Sequence, residues 1–159
     1  MIEGTLKQIC IAPKAGAPMQ ALLEVYCMEG KGLQGDRYAA GIGSFNKLDA
    51  KKTGTWNGQV TLMNAHFFKN KAFWFYETRR NLLIEGVELM RCINKEFTIG
   101  DVKFFGYKYC EPCTRPSKLS NKPINFAEEF FDCGGLTAHV LTSGVIKIGD
   151  IVLPPQKNY

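Results

Sequence analysis

The sequence predicts a mainly β fold with a few short helices, and three observations carry that expectation. Short runs rich in β-branched and aromatic residues recur along the chain, turn residues punctuate them, and no long segment keeps a helical period. Sixteen glycines, seven prolines and eleven phenylalanines in 159 residues fit the same picture, because many tight turns around a bulky core suit a barrel or sandwich.

The elements follow in order. Thr5 to Ile11 alternates loosely and stops at Pro13, the pattern of a first strand. Leu23, Val25 and Cys27 alternate with Glu24, Tyr26 and Met28, which predicts a half-buried strand. Glu29 to Gly43 is a glycine-rich loop with Asp36 and Arg37 at its middle. A long loop in a compact domain usually has a function or no fixed form. Lys47 to Gly58 is polar and expected to be mobile. Gln59 to Met63 predicts a short strand, and Asn64 to Phe75 a helix capped by Asn64. The aromatics of that segment, with Trp74 and Tyr76, are expected in the core.

Leu82 to Ile84, Phe97 to Ile99 and Val102 to Tyr109 are further strands, the last two forming a hairpin at Gly100-Asp101. Pro112 to Phe131 reads as helical, interrupted by Pro116 and Pro123. Ala138 to Leu141, a Ser143-Gly144 turn and a last stretch from Val145 to Leu153 close the chain, with Gly149-Asp150 inside that stretch. With no linker or low-complexity run, residues 1–159 are expected to form one domain.

Composition narrows the function classes. The net charge of +5 is mild and the basic residues occur at most in pairs, so nucleic acid is not expected as a partner. A small anionic ligand suits a few clustered arginines and lysines better. The N-terminal MIEGTLKQIC lacks a basic stretch followed by an apolar one, and Phe67 to Tyr76 is broken by Lys69, Asn70 and Lys71. Neither segment predicts export or a membrane span. A chain of this length does not need disulfides, so its six cysteines are expected to be reduced in a cytoplasmic protein.

Three constellations could carry chemistry. Cys110-Glu111-Pro112-Cys113 ends a predicted strand. Such a pair can share a metal, form a redox disulfide, supply a nucleophile with a resolving partner, or simply be buried. Zinc needs further ligands, for which Cys133, His139 and His66 are the candidates. A thioredoxin-like site needs Cys113 inside a continuing helix, which Pro116 opposes. The polar run T-R-P-S-K argues against burial of Cys113, and Arg115 and Lys118 are placed to favour its thiolate. The second constellation is Gly35-Asp36-Arg37-Tyr38, and the third is Arg79-Arg80-Asn81. Taken alone, the Asp36 loop reads as a solvated turn and the arginine pair as solvated charge, although adjacent arginines can also clamp an anion.

Together these segments resemble the MOSC family, the molybdenum cofactor sulfurase C-terminal domain. The matching pieces are GLQGDRY (Gly32 to Tyr38), QVTLM (Gln59 to Met63), RRNLLIEGVEL (Arg79 to Leu89), FTIGDVKFFG (Phe97 to Gly106), CEPCTRPSKL (Cys110 to Leu119) and GGLTAHVLTSGVIKIGDIV (Gly134 to Val152). They cover most of the chain, and their order is more specific than any single piece.

The resemblance implies a closed, mostly antiparallel β-barrel. It also implies sulfur transfer or molybdenum-cofactor (molybdopterin) binding, through a cysteine that carries a persulfide or ligates the metal. Carried over, that cysteine is Cys113, which would be both the catalytic thiol and the molybdenum ligand, with Cys110 as resolving thiol. Arg79 and Asn81 match residues that hold the pterin and its phosphate in cofactor-binding relatives, and Asp36 and Arg37 match the glycine-loop motif. Arg80 adds positive charge, and His139 is a candidate proton relay. The expected partner is a small anionic cofactor or a sulfur-donor protein. The chain departs from the family pattern at Asn64-Ala65-His66, where an acidic residue is usual, and at His139, where arginine is. Those departures motivate the alternative of a non-catalytic module that binds an anionic metabolite or a partner protein.

Overall fold

The computed structural model describes residues 2–44 and 58–156. The polar stretch beginning at Lys47 lies outside these described residues as far as residue 57. The strands are β1 (Gly4–Ile11), β2 (Gln20–Leu22), β3 (Glu24–Met28), β4 (Gly32–Leu33), β5 (Val60–Asn64), β6 (Leu82–Glu85), β7 (Glu96–Ile99), β8 (Val102–Tyr109), β9 (Leu136–Val140), β10 (Gly144–Lys147) and β11 (Ile151–Leu153). The main sheet runs β11-β7-β8-β9-β5-β6-β1-β2, and β11 also pairs with β1. That second pairing closes β1, β11, β7, β8, β9, β5 and β6 into a barrel, with β11 pairing to the start of β1 and β2 to its end. Strands β10, β3 and β4 form a separate small sheet. The expected closed barrel is the architecture observed.

Alternation along the strands sorts the barrel into an inside and an outside. Leu6, Ile9, Leu62, Leu82, Ile84, Ile99, Phe104, Leu136 and Ala138 fill the interior, where Phe97 and Phe104 stack with centroids 5.5 Å apart. Cys10, Met63 and Leu83 point the other way, into a second cluster on the outer wall with Phe73, Phe75, Phe126 and Phe130.

The second cluster exists because of one topological feature. Every barrel pairing is antiparallel except β5 with β6. Parallel neighbours cannot be joined by a tight turn and need a crossover. The chain between these two strands is that crossover, carrying only two short 3-10 turns, Ala65–Phe68 and Phe75–Thr78. The expected helix from Asn64 to Phe75 is therefore corrected. Asn64 makes no helix-capping bond; it is buried at the end of β5, donating to the carbonyls of Val87 (2.6 Å) and Ile84 (3.4 Å) and accepting from the Leu89 N–H (3.1 Å). Phe73 and Phe75 face the barrel while Trp74 and Tyr76 are 70% and 51% exposed, so the core placement expected of the last two is also overturned. The segment alternates with period two because it lies across a flat wall.

Two more expectations change at corners. Leu23 is 81% exposed because it separates β2, on the barrel, from β3, in the small sheet. The last stretch is likewise two strands, β10 and β11, in different sheets, switched at Gly149-Asp150. There the Asp150 carboxylate accepts from the Lys147 N–H at 2.8 Å. The β7–β8 hairpin turns at Gly100-Asp101 as expected, with Gly100 at φ 55°, a left-handed value that suits glycine. Among the described residues no helix is long and apolar enough to cross a membrane.

Candidate functional site

The crossover from β5 returns to the barrel at Arg79-Arg80-Asn81, and this return meets the Cys110–Cys113 turn. The turn leaves the end of β8, where the Cys110 N–H donates to the Gly135 carbonyl at 2.9 Å. It lies flat against Gly134. A Cβ there would stand 2.3 Å from the Cys110 carbonyl oxygen and 2.7 Å from Pro112 Cδ, so only glycine fits. Two short helices follow, α1 (Arg115–Leu119) and α2 (Phe126–Glu129). Pro116 occupies the first turn of α1, where its missing N–H costs nothing, and Cys113 precedes the helix altogether.

Arg80 clamps the turn. Its Nε donates to the Gly134 carbonyl at 3.0 Å and Nη1 to the Thr78 carbonyl at 3.1 Å. Nη2 reaches the carbonyls of Glu111 and Cys110 at 3.4 and 3.5 Å. The guanidinium also lies over the Phe126 ring, 5.3 Å from its centroid. Solvated charge is thus the wrong description of Arg80, which is buried. Arginine suits this role because a planar fork can serve several carbonyls at once.

The Asp36 loop is buried too, not a solvated turn. Asp36 is fully buried and accepts from the Ala12 N–H (3.0 Å), the Tyr38 N–H (3.2 Å) and Arg37 Nη1 (2.9 Å). Arg37 carries the linkage onward, with Nη2 donating to the Arg79 carbonyl at 3.1 Å and its guanidinium over the Tyr38 ring. Burial pushes the Tyr38 hydroxyl above its ordinary pKa, Arg37 opposes that shift, and Cys110 adds to it.

Asn81 is fully buried and ties three strands together. Its side-chain oxygen accepts from the N–H (3.0 Å) and hydroxyl (3.2 Å) of Thr61, and its amide donates to the Cys10 carbonyl at 3.0 Å. In this arrangement its side chain is closed off from solvent.

Arg79 differs from its neighbours. It sits at φ 67°, donates through Nη1 to the Ala17 carbonyl, and makes no other side-chain bond among the described residues. Its pKa is pulled down to about 10 by burial first, then by the charges of Arg37 and Arg115. Arg115, at the start of α1, reaches toward Gly16 in the loop beside Ala17. The ion pairs among the described residues are Asp36–Arg37, Glu88–Arg91 and Glu77–Lys122, so Arg79, Arg80 and Arg115 have no carboxylate partner there. Positive charge at this rim meets no direct ion pair among the described residues, and the Asp36 carboxylate supports the Arg79 charge from a distance.

Of the six thiols, Cys113 is exposed, Cys110 and Cys133 are half-buried, and Cys10, Cys27 and Cys92 are buried. Burial pushes the last three up to about 11, 12 and 11. The structure thus brings Cys110, Cys113, Asp36, Arg37, Arg79, Arg80 and Asn81 to one end of the barrel wall. It does not bring His139 there. That residue faces outward on β9, stacked on Tyr107 with centroids 4.6 Å apart. It lies roughly 10 Å up the strand from Leu136, at about 3.4 Å per residue, and Leu136 is the residue that pairs with Tyr109 beside Cys110. Among the described residues no group of three or more His, Cys, Asp or Glu side chains gathers to hold a metal ion. Sequence reasoning missed Gly134, the Thr61 partner of Asn81, and the Ala17 carbonyl, since backbone acceptors leave no signature in side-chain identity.

The comparisons with known proteins agree with this architecture. The chain resembles the crystal structure of the YuaD protein from Bacillus subtilis with a TM-score of 0.76 at 13% identity, over 96% of this chain and 94% of that one. It resembles YiiM from Geobacillus stearothermophilus with a TM-score of 0.69 at 13% identity, over 96% and 75% of the two chains. For YiiM from Escherichia coli the TM-score is 0.62 at 14% identity, over 97% and 71%. At such identities the likeness concerns the fold. No curated protein matches the chain in sequence. The family model for the MOSC domain matches residues 50–153, well over half of the sequence. The chain belongs to the MOSC domain family.

Proposed function

We propose that this MOSC protein carries sulfur on Cys113, with Cys110 as the resolving thiol and the arginine rim as the seat of an anionic partner group. The observation that carries the reading is that Cys113, the exposed thiol, ends the turn that Arg80 clamps and lies two residues before Arg115, which forms no ion pair among the described residues. In the reaction the Cys113 thiolate attacks the outer sulfur of a donor persulfide. The new Sγ–S bond forms as the donor S–S bond breaks, and the electron pair leaves on the donor thiolate. The Cys110 thiolate then attacks Cys113 Sγ and expels hydrosulfide, leaving a Cys110–Cys113 disulfide that an external dithiol reductant must reopen.

The residues also suit a molybdenum-pterin cofactor in part. Cys113 offers an accessible soft donor, and Arg79 and Arg115 offer guanidinium groups for a phosphate. Such a cofactor would supply redox chemistry at its metal. Asn81 does not suit the role expected of it, because its side chain is fully buried.

The test is to purify the protein from cells able to make the cofactor and measure cyanide-labile sulfur, molybdenum and pterin. Wild type is expected to hold at least one of these and Cys113→Ala none. Equal emptiness of the two overturns the reading. Within the pair, Cys113 is expected to alkylate before Cys110 near neutral pH, and the reverse order would exchange their roles. A second reading, a non-catalytic anion-binding module, is favoured by the Arg79 and Arg115 guanidinium groups, which form no ion pair among the described residues. It expects anion-induced thermal stabilisation that survives Cys113→Ala.

A further inference from the structure

We propose that Tyr38 is a positioning residue for Cys110, its hydroxyl donating a hydrogen bond to the Cys110 thiolate and holding it for attack on Cys113. Tyr38 is 7% exposed, and its backbone N–H is fixed by the Asp36 carboxylate at 3.2 Å. The Arg37 guanidinium covers its ring, 4.5 Å from the centroid. Three motifs meet around it, since Arg37 bonds the Arg79 carbonyl and Arg80 bonds the Cys110 carbonyl.

The hydroxyl is an unspent donor in this buried cluster. Among the described residues it has no hydrogen-bond partner. No side-chain oxygen or nitrogen among them is both occluded and unpartnered, so the Tyr38 oxygen keeps some accessible surface. Arg37, Cys110, Asp36 and Arg80 all act on it electrostatically, and it acts in turn on Arg79. Cys110 is half-buried in the same cluster. Water can serve the hydroxyl while Cys110 is a thiol, and the thiolate is the stronger acceptor once it forms. Tyr109 is the other tyrosine coupled to Cys110. Its oxygen already accepts from the Gly134 N–H at 3.1 Å, and Cys133 and Asp132 act on it more strongly than Cys110 does.

A donor in this role must keep its proton while the thiol loses its own. A phenol is the weaker acid of the two, and burial raises Tyr38 further. Cys110 releases its proton to water, and Tyr38 transfers none; it only holds the sulfur. The purpose rests on the sulfur-carrying reading, in which the Cys110 thiolate forms the bond to Cys113 Sγ and hydrosulfide leaves with the electron pair. The hydrogen bond itself does not depend on that reading.

The experiment follows iodoacetamide labelling of Cys110 and Cys113 by peptide mass spectrometry, in the whole reduced protein near neutral pH. Tyr38→Phe keeps the ring against Arg37 and removes only the donor. It should slow Cys110 labelling roughly threefold to tenfold, the size of a lost hydrogen bond to a charged group, partly offset by the higher nucleophilicity of a more basic thiolate. Cys113 should label as in wild type, and Tyr109→Phe should leave both thiols unchanged. The second measurement is the Tyr38 ζ-carbon NMR signal, assigned by its loss in Tyr38→Phe. In Cys110→Ser the Tyr38 phenol should ionise at lower pH, because the opposing thiolate charge is gone. A protein without sulfane sulfur that still shows Tyr38-dependent labelling would fail the sulfur reading and support this one. Equal Cys110 rates in wild type and Tyr38→Phe, an equal slowing of Cys113, the same loss in Tyr109→Phe, or a Tyr38 titration indifferent to Cys110→Ser would overturn the proposal.

Discussion

Two layers of the same wall use their polar groups in opposite ways. In the inner layer, Asp36, Arg37, Arg80 and Asn81 are buried and bonded to the chain itself, mostly to backbone groups. At the rim, Cys113 is exposed and Arg79 and Arg115 keep donors that meet no protein acceptor among the described residues. The difference separates architecture from opportunity. Most motif residues of GDRY and RRN hold the loops in place, and the reactive surface is what those loops then present.

The sharpest way to break this comparison is Asp36→Ala. It strands the Arg37 guanidinium in a buried site and leaves two N–H groups unpaired. The expected loss is about 3–5 kcal/mol in urea unfolding, the usual cost of breaking a buried pair from one side. A loss below about 1 kcal/mol, the scale of a surface pair, would mean that the inner layer is not structural.

A smaller effect is expected from alkali. Burial raises the Cys10, Cys27 and Cys92 thiols from near 9 to about 11, 12 and 11. The folded chain therefore keeps protons that the unfolded chain has lost, so the contribution is fully present below pH 9 and disappears as pH rises toward 11. Unfolding midpoints should decline over that window, and less steeply in Cys92→Ala. Equal slopes in the two proteins would remove the buried thiols as the cause.

The smallest effect on stability belongs to the rim. Arg115→Ala should change stability by no more than about 0.5 kcal/mol, as for most surface substitutions. It should also weaken phosphate binding roughly two- to fivefold, the range of a solvent-screened charge contact. Unchanged phosphate affinity would count against the rim as an anion seat.

Much of the barrel was legible in local pattern. Strand β8 and the turn at Gly100-Asp101 were found where alternation and turn chemistry placed them, and β3 differs only at its Leu23 corner. The crossover was not legible, because aromatic residues lying across a wall and aromatic residues on a helix have similar composition. The 73–76 alternation of buried and exposed side chains did carry the signal, over too few positions to outweigh a capping-like asparagine. At the site, the motif residues were visible in the sequence, but whether each was solvated or buried was not.

The order of apolar runs and turns by itself determined a mainly β chain, and the exposed character of Cys113 followed from the polar run after it. Those are local properties, settled by neighbours in the chain. The closure of β11 onto β1, the parallel β5–β6 pair and the spending of Arg37, Arg80 and Asn81 on backbone were decided only by tertiary structure. The physical reason is that a hydrogen-bond acceptor tens of residues away becomes a neighbour only once the barrel closes. The same closure that buries those donors leaves the ones at the rim unspent.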